Sequence, residues 1–204
     1  RGLGDVYKRQ VDDKEELPRL QPLMAIILSD TIRNNTKETL EYFHQEGIDA
    51  KIISGDNVNT VMAIAKKAGV LNYERCIDMS TINDDKIQEV VRNYTIFGRV
   101  TPSQKKMIVE ALKNDGHHVA MTGDGVNDLL ALKEADCSIA IADGSDASKQ
   151  ISQVVLLNSD FTCLPDVLLE GRKVVNNVTR VAGVFFIKTI YTILLSLFCV
   201  ISNT

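Results

Sequence analysis

Short, mostly apolar runs alternate with amphipathic segments along this chain, and that alternation leaves few folds open. Residues 23–28 (LMAIIL), 50–53, 95–97, 119–121, 138–141 and 153–157 read as strands. A strand buried on both faces needs no polar alternation, so a continuous apolar run is its signature. Between them, residues 34–46, 57–68, about 84–92, 101–114 and about 127–135 read as helices. In the second of these Val58, Val61, Met62 and Ala65 share one face, and Gly69 ends it. Thr101-Pro102-Ser103-Gln104 is a capping box with proline at the first helical position. Strands separated by helices predict an α/β fold with a parallel sheet covered on both faces. Ligands of such sheets bind beyond the carboxyl ends of the strands.

The last forty residues break the pattern. From Phe161 only Pro165, Gly171 and Gly183 interrupt a helical run, which at ~1.5 Å per residue exceeds ~60 Å. Residues 181–201 are mostly apolar and close to the ~20 residues that cross a bilayer. A buried core helix is the competing reading. Arg172, Lys173 and Arg180 precede the apolar run, as on the cytoplasmic side of a membrane helix. The net charge is −4, divided as −6 over residues 1–160 and +2 over 161–204. An acidic chain argues against nucleic acid as a partner. Cys76, Cys137, Cys163 and Cys199 form no C-x-x-C pair, which excludes a structural zinc site and fits a reducing cytosol. Residues 1–10 (RGLGDVYKRQ) carry no period and look like translated cloning adaptor, so the chain is expected to be a fragment. The expected domains are 11–160 and a stalk with membrane segment over 161–204, with 11–175 cytoplasmic.

Asp30, Asp56, Asp124 and Asp128 all follow expected strands, so a parallel sheet would gather them at one edge. Converging carboxylates repel unless a cation lies among them. Mg²⁺ suits such a place, since it takes a few carboxylates with water and phosphate oxygens. The strongest signal is Met121-Thr-Gly-Asp-Gly-Val-Asn-Asp128. Gly123 and Gly125 allow a sharp turn and a close backbone approach. Asp124 stands as an Mg²⁺ ligand, directly or through water, and Asn127 and Asp128 can orient it or contact phosphate. The plain alternative is an Asn/Asp/Gly turn. Ser54-Gly55-Asp56 repeats the design, a hydroxyl and backbone N–H groups at a helix start. Alone, Asp56 also reads as an N-cap. Lys105 sits in the first turn of its helix, against the helix dipole. It is either a solvated lysine or a group that neutralises phosphoryl charge.

Six ordered motifs together resemble one family. They are Asp30-x-x-Arg33, Ser54-Gly-Asp56, Arg99-x-x-Pro-x-x-Lys105, Thr122-Gly-Asp-Gly-Val-Asn-Asp128, Ala131-Leu-Lys-x-Ala-Asp136, and Gly171-Arg172 before Asn176-Asn177. Over about residues 23–190 the chain resembles the carboxyl-terminal half of the phosphorylation domain of P-type ATPases and the start of the following membrane helix. The resemblance implies a haloacid-dehalogenase-like fold, and a multi-pass pump in the cell membrane with ATP, Mg²⁺, a transported cation and the lipid bilayer as partners. Such pumps pass the γ-phosphoryl of ATP to an Asp and then hydrolyse the aspartyl phosphate. By match, Asp124 would hold Mg²⁺, Lys105 would stabilise the phosphoryl, and Ser54 and Gly55 would contact phosphate. Asn127 and Asp128 would support the metal and phosphoryl group, while Arg99, Asp30, Arg33 and Asp56 would lie by the nucleotide.

The family's Asp-Lys-Thr-Gly-Thr nucleophile segment is not among these 204 residues, nor is its nucleotide-binding domain. The fragment alone is therefore expected to be inactive. Leu129-Leu130 replaces the usual Ala-Pro, as in a bacterial subgroup of cation pumps. Where calcium pumps of the family carry ion ligands, Asn and then Glu, this chain has Thr189 and Thr192, with Lys188 beside them. That helix gives no support to Ca²⁺ specificity. Lys188 either stands in for a counter-transported cation, snorkels, or pairs with a carboxylate elsewhere. Two other readings stay open. One is a free phosphatase with Asp30 as nucleophile, which would want an acid where Ile32 stands. The other is a membrane-anchored nucleotide- or Mg²⁺-binding module that never turns over.

Overall fold

A computed structural model describes residues 32–202. The chain divides into two units, Arg1–Arg33 and Asn34–Thr204, and the elements below belong to the second. The expected strand at 23–28, Asp30 and residues 1–10 lie outside the described residues.

The order is α1 (Thr36–Gln45), β1 (Ile52–Ile53), α2 (Val58–Ala68), β2 (Cys76–Asp78), α3 (Ile87–Asn93), β3 (Ile96–Gly98), α4 (Pro102–Asn114), β4 (Ala120–Gly123), α5 (Leu129–Glu134), β5 (Cys137–Ile141), α6 (Asp146–Ile151), β6 (Val154–Leu156) and α7 (Leu164–Ser202). One sheet runs β1-β3-β2 and the other β4-β5-β6, and every pairing is parallel. In the first, Ile52 and Cys76 both lie opposite Ile96, while Ile53 and Ile77 lie opposite Phe97.

Successive strand residues point to opposite faces, and β3 shows the result. Ile96 packs with Val61, Ala65 and Val70 of the α2 side. Phe97 packs with Val90, Val91, Ile108 and Ala111 of α3 and α4. Both are fully buried. Helices thus cover both faces of this sheet, as the apolar run predicted. β2 and α6 were not legible in the sequence. β2 has three residues and ends in an aspartate, and α6 has six residues behind a Ser145 cap.

The helix ends follow local chemistry. Gln104 N donates to Thr101 Oγ1 at 3.3 Å and Thr101 N to Gln104 Oε1 at 3.1 Å, the expected capping box. α2 is capped by Asn57, whose Oδ1 accepts from Asn59 N at 2.9 Å, and not by Asp56. Gly69 closes α2 at φ 82°, a left-handed conformation that glycine takes without strain. Lys51 Nζ donates to Val91 O at 3.0 Å and Tyr94 O at 2.8 Å, closing the end of α3. Burial pushes that ammonium below the usual lysine range.

α7 is one continuous helix of 39 residues. From Val181 to Ile201 its large apolar side chains are exposed. The helix is long and apolar enough to cross a membrane, and the apolar stretch is not buried in the domain. α7 meets the domain along α1, where Arg172 pairs with Glu46.

In the last turn of α3, Arg92 grips Asp115 through Nε at 2.8 Å and Nη2 at 2.5 Å, and Gln88 Nε2, from the first turn, adds a bond of 2.7 Å. The Arg92 guanidinium, ahead of the Gln88 amide, draws the Asp115 carboxyl down to about 2. The unfolded group titrates near 4, so this contribution is present above about pH 4 and lost as the pH falls towards 2. Asp115→Asn should melt below the parent protein at pH 5, and the two melting curves should converge between pH 4 and pH 2. A gap unchanged at pH 2.5 would refute the assignment.

Candidate active site

The carboxyl ends of the first sheet are joined by their own backbone. Ser54 N donates to Phe97 O at 2.9 Å, Val100 N to Ser54 O at 3.0 Å, and Arg99 N to Asp56 O at 2.9 Å. The turn after β1 and the turn after β3 are therefore one unit. Ser54 Oγ accepts from Asp56 N at 3.1 Å, which leaves the hydroxyl proton for another acceptor. Gly98 has to be glycine, because a Cβ there would stand 2.5 Å from Val58 Cγ2 and 2.9 Å from its backbone. Arg99 follows at φ 51°. A long side chain in the left-handed region costs about 1–3 kcal/mol, and such strain marks a side chain that is used. Its Nη1 stands 3.4 Å from Asp78 Oδ2 at the end of β2. The Ser80 hydroxyl, more than its N–H or Arg99, holds the Asp78 carboxyl below the usual range.

The second sheet contributes the Gly-Asp-Gly turn. Lys105 Nζ, from the first turn of α4, donates to Asp128 Oδ1 at 2.6 Å. Both side chains are largely buried, 13% and 9% exposed. Gly125 N approaches the other oxygen at 3.4 Å. A Cβ on Gly123 would lie 2.6 Å from Asp128 Cβ, so only glycine admits the aspartate there. Ser145 N donates to Asp124 O at 2.8 Å, and Gly144 has no room for a Cβ, which would meet that carbonyl at 2.5 Å. The Asp124 backbone is thus clamped while its side chain stays exposed, with no hydrogen bond or ion pair among the described residues.

The turn does not open straight into an α-helix at Asn127. Residues Val126–Asp128 form a 3₁₀ turn behind Gly125, and α5 starts at Leu129. Asn127 is exposed. Among the described residues no three His, Cys, Asp or Glu side chains lie close enough to hold a metal ion. Asp128 has turned to Lys105 instead, and Asp56 and Asp124 face solvent. Asp30 lies outside the described residues, and Arg33 ends the first unit. On α7, Thr189 Oγ1 donates to Phe185 O and Thr192 Oγ1 to Lys188 O, both at 2.9 Å.

Asp78, Ser80 and Gly144 were not singled out from the sequence. Asp136, the last residue of a motif that carried the family resemblance, has a structural use. Its Oδ2 accepts from Val119 N at 2.9 Å, tying the starts of β4 and β5. A cavity of about 550 Å³ lies at the opposite, amino-terminal ends of β1, β2 and β3, lined in part by Lys37, His44, Lys51 and Arg75. It touches none of the motifs above. The carboxyl ends, with the glycine turns and the Lys105–Asp128 pair, are the better candidate.

The profile of the haloacid dehalogenase-like hydrolases matches residues 2–136. The "Probable cation-transporting ATPase exp7" of Streptococcus pneumoniae is 50% identical over 183 residues, 90% of this chain and 24% of that protein. The calcium-transporting ATPase CtpE of Mycobacterium bovis is 43% identical over 187 residues, 92% of this chain and 24% of that protein. The chain thus spans about a quarter of the length of these relatives. Among solved structures, the catalytic domain of the CPx-ATPase CopB-B superposes with a TM-score of 0.54 at 31% identity, over 68% of this chain and 46% of that one. The chain belongs to the haloacid dehalogenase-like hydrolase family, and the relatives it resembles within that family are cation-transporting P-type ATPases.

Proposed function

We propose that residues 11–160 are the carboxyl-terminal part of the phosphorylation domain of an ATP-driven cation pump, and that 161–204 carry its stalk and a membrane segment at about 181–201. The observation that carries this reading is the Lys105–Asp128 contact of 2.6 Å beside a clamped but uncommitted Asp124. Phosphoryl transfer asks a protein mainly for positioned charge. Here an ammonium is held by a buried carboxylate at one strand end, and a free carboxylate stands on the same turn. Asp124 fits a magnesium ion, since its oxygens are open and its backbone is fixed. Asp128 is a poorer ligand, with one oxygen on Lys105 and the other facing Gly125 N. Mg²⁺, when bound, would neutralise charge on phosphate oxygens. The Ser54 hydroxyl and the Gly55 N–H would bind phosphate, and Asn127 would orient the metal side. Arg99, Arg33, Asp30 and Asp56 would serve the nucleotide.

Among the described residues, β1 has no partner on the edge away from β3, and β4 none on the edge away from β5. Parallel strands are ordinarily paired or covered at such edges. A strand filling both would bring its carboxyl end between Ser54 and Asp124, where a nucleophilic aspartate belongs. In the pump reading that strand comes from sequence upstream. In the phosphatase reading the nucleophile is Asp30.

The complete pump would sit in the cell membrane with α7 as one of several spans and residues 11–175 in the cytoplasm. The calcium-transporting name of one relative keeps Ca²⁺ among the candidate cargoes despite Thr189 and Thr192.

Asp124→Ala in the complete protein should abolish Mg²⁺-dependent phosphoenzyme formation, read by labelling from γ-labelled ATP. Normal labelling would end the assignment. Lys105→Met should also prevent labelling, and the unpaired Asp128 should cost about 3 kcal/mol of stability in urea denaturation. Clear phosphatase turnover by this chain alone, lost on Asp30→Asn, would favour the second reading.

A further inference from the structure

We propose that Asp78 is a positioning residue: through its carboxylate it aims the Arg99 guanidinium at a nucleotide phosphate, with Ser80 locking Asp78 in place. This rests on the reading above that Arg99 serves the nucleotide, and it adds two residues no motif contains. The two carboxylate oxygens have separate partners. Oδ1 accepts from Ser80 N at 3.0 Å and from Ser80 Oγ at 2.6 Å, so the group cannot rotate freely. Oδ2 faces Arg99 Nη1 at 3.4 Å. The other end of the arginine is fixed as well. Its N–H is bound to Asp56 O and the next N–H to Ser54 O, so the Cα is pinned to the Ser54-Gly55-Asp56 turn.

A glycine would meet the backbone demand at φ 51° without strain. The arginine is there for its side chain. Asp78 engages one of its three nitrogens, and the side chain is 51% exposed at the carboxyl edge. The remaining donors form a planar fork suited to phosphate oxygens. Burial does not explain Asp78, because its side chain is 32% exposed. The simpler alternative is that Asp78 only caps the 3₁₀ turn Met79–Thr81. A cap has no reason to act through Arg99, and the two ideas part on that point.

The test uses the complete protein and the MgATP dependence of phosphoenzyme formation. Asp78→Asn should raise KM for MgATP about tenfold with kcat within twofold, and Asp78→Glu should restore most of the affinity. Asp78→Asn combined with Arg99→Ala should be no weaker than Arg99→Ala alone. An unchanged KM in Asp78→Asn, or effects that multiply in the double variant, would overturn the proposal. If Asp78→Asn does not fold, judged by its melting temperature, Ser80→Ala takes its place. A KM rise of about threefold would then support the proposal, and none would overturn it. A parent protein that forms no phosphoenzyme would overturn the pump reading, and the proposal with it. Labelling in the parent with unchanged KM in the variants would overturn this proposal alone.

Discussion

Lys105 and Asp128 follow strands of different sheets, and their contact joins the two carboxyl-terminal edges. Lys105 belongs to the helix that leaves β3, and Asp128 to the turn that leaves β4. Each would be costly alone at its depth. A buried carboxylate without a partner loses far more in desolvation than a surface one, and the same holds for the ammonium. The pair ties the first turn of α4 to the Gly-Asp-Gly turn, and α4 packs along α5 beside it. It also spends one acid so that its neighbour remains available. Asp124, four residues earlier, has no countercharge among the described residues and keeps both carboxylate oxygens open.

Three glycines make that arrangement possible by steric need. Gly123 yields its space to Asp128, Gly98 to Val58, and Gly144 to the Asp124 carbonyl. At each, a methyl group would meet another atom at 2.5–2.6 Å, closer than side-chain carbons approach. Two of the three clashes involve backbone, which cannot swing away. The strand ends are close-packed main chain, and the polar side chains stand on that frame. This is why the site is rigid where it binds and open where it faces solvent.

Most of the architecture was legible because its signals are local. Ile96-Phe97 reads as a strand buried on both sides, and Thr101-Pro102 with Gln104 reads as a helix start. Both carry their chemistry within a few residues. β2 was missed because Cys76-Ile77-Asp78 is too short to show a period. It is a strand only because β3 offers a paired edge. The site was legible to the extent that it resides in contiguous motifs. Its internal wiring was not. Lys105 and Asp128 are 23 residues apart, and Arg99 and Asp78 belong to different strand ends. No spacing rule brings such pairs together; the parallel topology does.

On the long helix, Thr189 and Thr192 give their hydroxyl protons to carbonyls one turn back, which satisfies both donors within the helix. Each oxygen still has a lone pair to offer. A cation beside α7 would thus meet two neutral oxygens and, at Lys188, a positive charge. Neutral ligands cannot offset a divalent charge in low dielectric. If α7 lines the transport path, the carboxylates that balance a divalent cation have to come from other spans.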